Sequence, residues 1–555
     1  FASGQRFLTW GILVFWALLG FRLLWIQGIK SDEWLVKPAL VKMEGDFRRF
    51  KQNPRIALLL EKFPRGTIRD QNGVPLAVSD CQILRDYAQT DSTMLNPNWG
   101  VDLDQDCLAP NGRIYPFKEH TFFLLGDYNT RVKAGYPAAQ YLEYDLETSA
   151  YLSGLTLSKG FRTVEMILNN KSDSIKVQRE RYDYRELVPL LRAQDRYPYY
   201  GKAGELATRK RDLTLTTDIR LQIEAGRILE AHTPKGKKSA LVVIDVTTGG
   251  VLANVSYPLP KDVFTHFYRA DSTVTMDLST HGQYAPGSTF KMVTAIAAMR
   301  KTKSVKPVLE QTFICKRLPD GRVGNFITGY GRPIRDASGD AAHGNIGIKE
   351  GLIVSCNAYF AQLGTYFVKP NALLQTMNYF TGIRLCDPTG KNACDDLNDS
   401  DRRRILAYSI PQVSFGQGSL LASPLGIAQV AAAIANSGKT TRPYWILAED
   451  RPAFEEVLSS ASNKIIAEAM RGVVQQENGT AYKTFKGFSI GVAGKTGTAE
   501  NSKPGTHAWF AGFAPYSGAH KIAFAVVVEN GGGGAKVAAP IARELIEKAK
   551  ELGLF

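Results

Sequence analysis

Cysteine is scarce in this chain. Six of its 555 residues are Cys, and no two stand in a C-x-x-C pair, which argues against a thioredoxin-like motif or a locally spaced cysteine cage. The seven histidines are scattered and none belongs to an H-E-x-x-H, so the sequence predicts no metal and no cofactor. Zinc-finger spacing, an RNA-binding aromatic signature and a dense Lys/Arg helix are all missing. The net charge of +15 therefore points away from nucleic acid and towards an anionic membrane or polymer. There is no internal repeat, and "GGGG" at 531–534 is too short to be a linker.

The 44% hydrophobic content is enough for true cores, and the length implies two or three domains. Only one long apolar run is present, "RFLTWGILVFWALLGFRLLWIQ". Phe7 to Ile26 is 20 residues, roughly 30 Å as a helix, the thickness of a bilayer core. Arg22 lies near one end, where its side chain can snorkel. No A-x-A cleavage pattern follows, so the run reads as a retained single-pass anchor in the cytoplasmic membrane. Arg6 places the short tail inside and everything after residue 28 on the extracytoplasmic, periplasmic side. The expected division is 1–28 tail and anchor, 29–235 a first domain, and 236–555 a second, with the exposed "KGKK" at 235–238 between them. In an oxidising compartment Cys81 with Cys107, and Cys386 with Cys394, are disulfide candidates.

"PRGTIRDQNGVPLAV" reads as strand, turn, strand about Asn72-Gly73. "DLTLTTDIRLQIEAGRILEAH" passes from strand alternation to helical spacing, with Asp218 as the cap. Ala240–Val246, a turn at Thr248–Gly250 and Val251–Val255 form a hairpin. From Ser288 to about Phe380 the pattern is mainly helical. Another helix ends near Gly438, three strands follow, and "APIARELIEKAKELGLF" is an amphipathic helix. Strands at both ends with helices between them predict an α+β domain, an antiparallel sheet flanked by helices.

"YAPGSTFKMVTA" carries the chemistry. Ser288 stands three residues before Lys291 at a helix start, so the two share a face. Serine needs a base to become a nucleophile, and lysine serves only if its pKa is lowered. An isolated S-x-x-K is more often an N-cap and a solvated charge. Here Ser355-Cys356-Asn357 and Lys495-Thr496-Gly497-Thr498 follow in order, each motif occurring once. That ordered trio belongs to penicillin-binding proteins and class A β-lactamases.

Beyond the trio, "IVSCNAYFAQLG", "SFGQGSLLASPLGIAQVAAAIANSGKTTRPY" and "VAGKTGTAE" resemble penicillin-binding protein transpeptidase domains. "RGTIRDQNGVPLA", "GRIYP" and "LTLTTDIRLQ" resemble the pedestal of the class B members, with Gln71 where the class usually has Arg and an unusual stretch from about 30 to 60. The resemblance implies a β-rich pedestal over 29–235 and a penicillin-binding/β-lactamase-like domain over 236–555. It implies a peptidoglycan D,D-transpeptidase acting on stem peptides, inhibited by β-lactam antibiotics and paired with a SEDS-family glycosyltransferase. Ser288 would be the nucleophile and Lys291 its base. Ser355 would relay the proton, Asn357 would hold the substrate backbone, and Lys495 would supply charge. Thr496, Gly497 and Thr498 would bind the substrate carboxylate end, with the Ser288 and Thr498 N–H groups as oxyanion hole. A glycosyltransferase module lacks its E-D-x-x-F signature here. A membrane-bound β-lactam sensor or non-catalytic wall scaffold is the alternative. Of the remaining candidates, Cys356 reads as a buried structural residue. Glu500, His507 and Trp509 read equally as cleft wall or packing, and "FGQG" at 415–418 reads as a turn near the site.

Overall fold

The computed structural model describes residues 2–36, 39–42, 48–51, 53–108, 113–126, 142, 146–156, 163–167, 174–178, 183–193, 201–261, 276–337, 339–387, 394, 397–448, 450–500 and 505–555. Parts of 29–235, including some of the stretch from 30 to 60, lie outside them. Helix Ala2–Leu24 (α1) runs into a π-helical turn at Trp25–Ile29. Its Phe, Trp and Leu side chains are exposed, and Gly4–Ile29 is long and apolar enough to cross a membrane.

Strands Ile68–Arg69 (β1) and Pro75–Ala77 (β2) pair antiparallel, and Leu213–Thr214 (β3) joins β1 in parallel. Gly73 supplies the positive φ (+85°) that the β1–β2 turn requires. The turn has a second task. Asp218 caps helix Ile219–His232 (α2) by accepting from Arg220 N and Leu221 N. Asn72 Nδ2 and Gln71 Nε2 reach that same carboxylate at 2.9 and 3.3 Å, while Asp70 Oδ2 accepts from Ile219 N. Gln71 thus serves the cap. Disulfides join Cys81 to Cys107 and Cys386 to Cys394.

The second half is built on strands Ser239–Asp245 (β4) and Val251–Tyr257 (β5), then helix Lys291–Arg300 (α3). A small antiparallel sheet follows: Phe313–Arg317 (β6), Val323–Asn325 (β7), Ile334–Arg335 (β8) and Gly344–Ile346 (β9), in the order β8-β7-β6-β9. It interrupts the stretch expected to be mainly helical. Its strands are two to five residues long and partly exposed, too short for a period-2 pattern to emerge. Helices Asn357–Gln362 (α4), Pro424–Ala435 (α5) and Ser460–Gln475 (α6) come next. The chain closes with strands Ala493–Glu500 (β10), Thr506–Ala514 (β11) and Ile522–Val528 (β12), and helix Ala538–Glu551 (α7).

The main sheet has the order β10-β11-β12-β4-β5, antiparallel throughout. Strand β12 is buried at all seven positions, which explains its continuous apolar run. Alternate side chains feed two cores. Val242, Ile244, Ala525 and Val527 pack with α3 and α5, whereas Leu241, Val243, Phe524 and Val526 pack with α2 and α7. Helix α5 is apolar almost all round because it lies inside the first core. Strand β10 is left at the sheet edge, packed against α6 and the turn that precedes α3.

Candidate active site

Ser288 lies in a 3-10 turn, Gly287–Phe290, and α3 begins only at Lys291. In 3-10 geometry residues i and i+3 eclipse, so Ser288 stands directly over Lys291. The turn is wedged from two sides. Gly287 N donates to Gly416 O at 2.9 Å, and a Cβ on Gly416 would collide with Gly287 O, which explains the glycine of the "FGQG" turn. On the other side β10 runs past the turn. A Cβ on Gly497 would sit 2.9 Å from Trp509 Cβ and 3.0 Å from Pro286 O, so the last residue of K-T-G must lack a side chain.

Lys291 is fully buried. Its Nζ donates to Ser355 O (2.5 Å), Asn357 Oδ1 (2.7 Å) and Ser355 Oγ (3.3 Å). Among the described residues, then, the Lys291 hydrogen bonds run to the S-x-N motif rather than to Ser288. Lys495, also buried, donates to Ser355 Oγ at 2.7 Å and to Thr496 O at 3.1 Å. Two lysines from opposite elements therefore meet on one hydroxyl. Ser355 has a φ of +62°, a conformation L residues avoid, held by these contacts and by Cys356 N donating to Gly351 O. Ser288, Ser355, Asn357, Thr496 and Thr498 line one cleft of about 780 Å³. Thr496 Oγ1 is 2.6 Å from Thr480 Oγ1, and Thr498 Oγ1 accepts from Gly534 N at 3.3 Å. All eight sequence-predicted site residues are thus assembled, three of them (Lys291, Lys495, Gly497) beneath the cleft floor.

Burial lowers Lys291 to about 8, against the raising effect of Asp336 and Cys356. Lys495 is pushed well below its ordinary value by burial and then by the charge of Lys291. A lysine near 8 is neutral in about a tenth of molecules at pH 7, enough for a base that must be free before it can accept a proton.

Asp336 is a residue the motifs did not reveal. Its Oδ1 accepts from Asn357 N (2.5 Å) and Ala358 N (3.1 Å), capping α4 and fixing the S-x-N turn. Its Oδ2 accepts from the thiols of Cys315 (3.0 Å) and Cys356 (3.2 Å) and lies 3.6 Å from His343 Nδ1. Cys356 is buried, as expected, but it is more than packing. The ligand atoms of Cys315, Asp336, His343 and Cys356 lie within 4.8 Å of one another. Two thiols, an imidazole and a carboxylate form the kind of donor set that holds tetrahedral zinc. These residues could thus hold a metal, where the sequence predicted none: spacings of 21, 7 and 13 residues match no local motif, and only the β6–β9 sheet gathers them. An ion there would brace the S-x-N turn. With no ion, the Asp336 and Cys315 hydrogen bonds raise the His343 imidazole to about 10.

Glu500 lines the cleft. His507 and Trp509 do not: they stack edge-on against Tyr284, and Trp509 Nε1 donates to Ala285 O, supporting the Ser288 turn from behind.

Comparison with known proteins gives concordant findings. Residues 239–547 match the penicillin binding protein transpeptidase domain. Peptidoglycan D,D-transpeptidase MrdA of Haemophilus influenzae is 28% identical over 386 residues, covering 61% of this chain and 56% of that protein. The chain thus spans little more than half the length of that relative. Peptidoglycan D,D-transpeptidase PbpA of Mycolicibacterium smegmatis is 30% identical over 353 residues, 57% of this chain and 68% of that protein. Among solved structures, Pseudomonas aeruginosa PBP2 superposes with a TM-score of 0.57 at 23% identity, covering 87% of this chain and 96% of its own. A ceftriaxone acyl-enzyme of penicillin-binding protein A from Mycobacterium tuberculosis gives 0.59 at 23% identity, covering 88% and 99%. At that identity these two share the fold.

Proposed function

Because the chain belongs to the class B penicillin-binding proteins, with the family's transpeptidase domain at 239–547, we propose that it is a peptidoglycan D,D-transpeptidase working through a serine acyl-enzyme. The observation that carries this is the convergence of Lys291 and Lys495 on Ser355 Oγ, beside Ser288 in one cleft. Ser288 Oγ attacks the carbonyl between the two terminal D-alanines of a stem peptide. Lys291, in its neutral form, takes the Ser288 proton. Ser355, bridged to both lysines, passes a proton to the departing D-alanine nitrogen. Lys495 and the Thr496 and Thr498 hydroxyls attract the terminal carboxylate. Strand β10, an edge strand, offers unpaired backbone to an extended substrate. The Ser288 and Thr498 N–H groups receive the oxyanion, a contribution often worth about 3 kcal/mol per donor. An amine of a second stem peptide then displaces Ser288 and forms the cross-link. β-Lactams acylate Ser288 by the same route and deacylate slowly.

In this reading residues 1–28 anchor the chain in the cytoplasmic membrane, 29–235 form the pedestal and 236–555 the catalytic domain on the extracytoplasmic side. The two disulfides support an oxidising compartment. A SEDS-family glycosyltransferase is the proposed membrane partner, contacted through anchor and pedestal. Intact-mass analysis with benzylpenicillin tests the chemistry: wild type gains a single adduct, mapped to the Ser288 peptide, and Ser288→Ala gains none. No adduct on folded wild type would replace this reading with that of a scaffold.

A further inference from the structure

The cleft is not evenly charged. Beyond the residues already assigned, Arg322, Arg332 and Arg335 line it from the β7–β8 side. Arg335 is neutralised by Asp320 at 2.7 Å. The other two are not. The Arg322 guanidinium donates to a backbone oxygen, Asp336 O at 3.5 Å, and that of Arg332 to Tyr330 Oη at 3.3 and 3.4 Å, lying 5.8 Å from that ring. Both are exposed, and among the described residues neither guanidinium is in an ion pair, although Asp320, paired with Arg335, also accepts from Arg322 N at 3.1 Å and lies within reach of the Arg322 charge. The acids that line the cleft make no ion pair with Arg322 or Arg332 among the described residues. Asp336 is buried and occupied by Asn357 N, Ala358 N and the two thiols. Asp340 accepts from Ala337 N, and Glu500 sits at the end of β10 with Lys536 also lining the cleft.

The position of this pair follows from the site. Asn357 binds Lys291 through Oδ1 and donates through Nδ2 to Arg335 O at 3.0 Å, and Arg322 rests on the next carbonyl. A peptide whose terminal carboxylate is held at Thr496 and Thr498, and whose backbone reaches Asn357, must carry its upstream residues past Arg322 and Arg332. We propose that these two arginines bind a free carboxylate of the acyl-donor peptide upstream of its terminal D-alanines, and so select acidic over amidated stems. This rests on the transpeptidase reading and adds the substrate's charge to it.

Competition on the full-length chain tests it. Ser288 acylation by a fluorescent penicillin is followed with two added stem pentapeptides, alike except that one has a carboxylate where the other has a carboxamide. The carboxylate peptide protects wild type at about tenfold lower concentration, the scale of a charge-assisted contact partly screened by water. In Arg322→Gln/Arg332→Gln the two peptides protect equally. In Arg322→Lys/Arg332→Lys, which keeps charge without the planar fork, part of the preference survives. Equal or absent protection in wild type, or a preference that persists in the Gln pair, overturns the proposal. Wild type that never takes the penicillin label brings down the transpeptidase reading and this proposal together. Normal labelling with charge-blind protection brings down this proposal alone.

Discussion

A lysine ammonium stripped of water holds its proton less tightly than in solution, and Lys291 is in that position. Below about 8 it is mostly protonated and cannot accept the Ser288 proton; above that value it is mostly free. Acylation by benzylpenicillin should therefore rise with pH through about 8 and then level off, as rapid-quench mass spectrometry would read it. A flat profile across that range would remove Lys291 as the base. Lys291→Ala should slow acylation by about 10²–10⁴-fold, the usual contribution of a positioned base. Ser355→Ala should slow it less, since Lys291 keeps its contacts to Ser355 O and Asn357. That Ser288, Lys291, Ser355, Asn357 and the K-T-G segment gather in one candidate site was legible from sequence, because they stand in short motifs of fixed spacing. Asp336 and Thr480 were not. Each acts on the site from a separate element, through one or two contacts that leave no local pattern.

At the scale of elements, the edge strand β10 must press flat against the Ser288 turn. Gly497→Ala inserts a methyl where Trp509 Cβ, Pro286 O and Thr289 Cγ2 all lie within 3.0 Å. Overpacking of this kind costs about 1–3 kcal/mol. The variant should melt earlier by calorimetry and acylate at least about tenfold more slowly, since the strand is displaced from Ser288. Loss of stability with unchanged acylation would show that the fit of strand to turn is structural only. Asp218→Ala removes the α2 cap, the Gln71 acceptor, the shorter of the two Asn72 Nδ2 hydrogen bonds and the Arg220 ion pair. It should cost about 2 kcal/mol in urea unfolding, at the upper end for a cap because the carboxylate is buried. That cap, the Asn72-Gly73 turn and strands β4, β5 and β10 to β12 were readable because each has its own periodicity or turn chemistry. The β6–β9 sheet was not, its strands being stabilised by what they pack against rather than by pattern.

For the whole molecule, the arrangement of cysteines gives a direct assay. Denatured protein should titrate two thiols without reductant, Cys315 and Cys356, and six with it. Those two thiols also bear on the cluster beside α4. Purified, unchelated protein should carry about one zinc by elemental analysis, and Cys315→Ala/His343→Ala should carry none. Metal-free wild type with unchanged stability on adding zinc would leave the four residues as a hydrogen-bonded brace. By itself the sequence determined the apolar N-terminal helix, the sheet-and-helix character of the second half and the order of the S-x-x-K, S-x-N and K-T-G motifs. These are properties of contiguous residues, set by burial periodicity and backbone spacing. Only the tertiary structure decided that two lysines some 200 residues apart in sequence share the Ser355 hydroxyl, that one lies near 8, and that Cys315, Asp336, His343 and Cys356 converge. Only it placed Arg322 and Arg332 on the cleft wall, outside any ion pair among the described residues. Such facts depend on desolvation and on distances between elements, which no local pattern encodes.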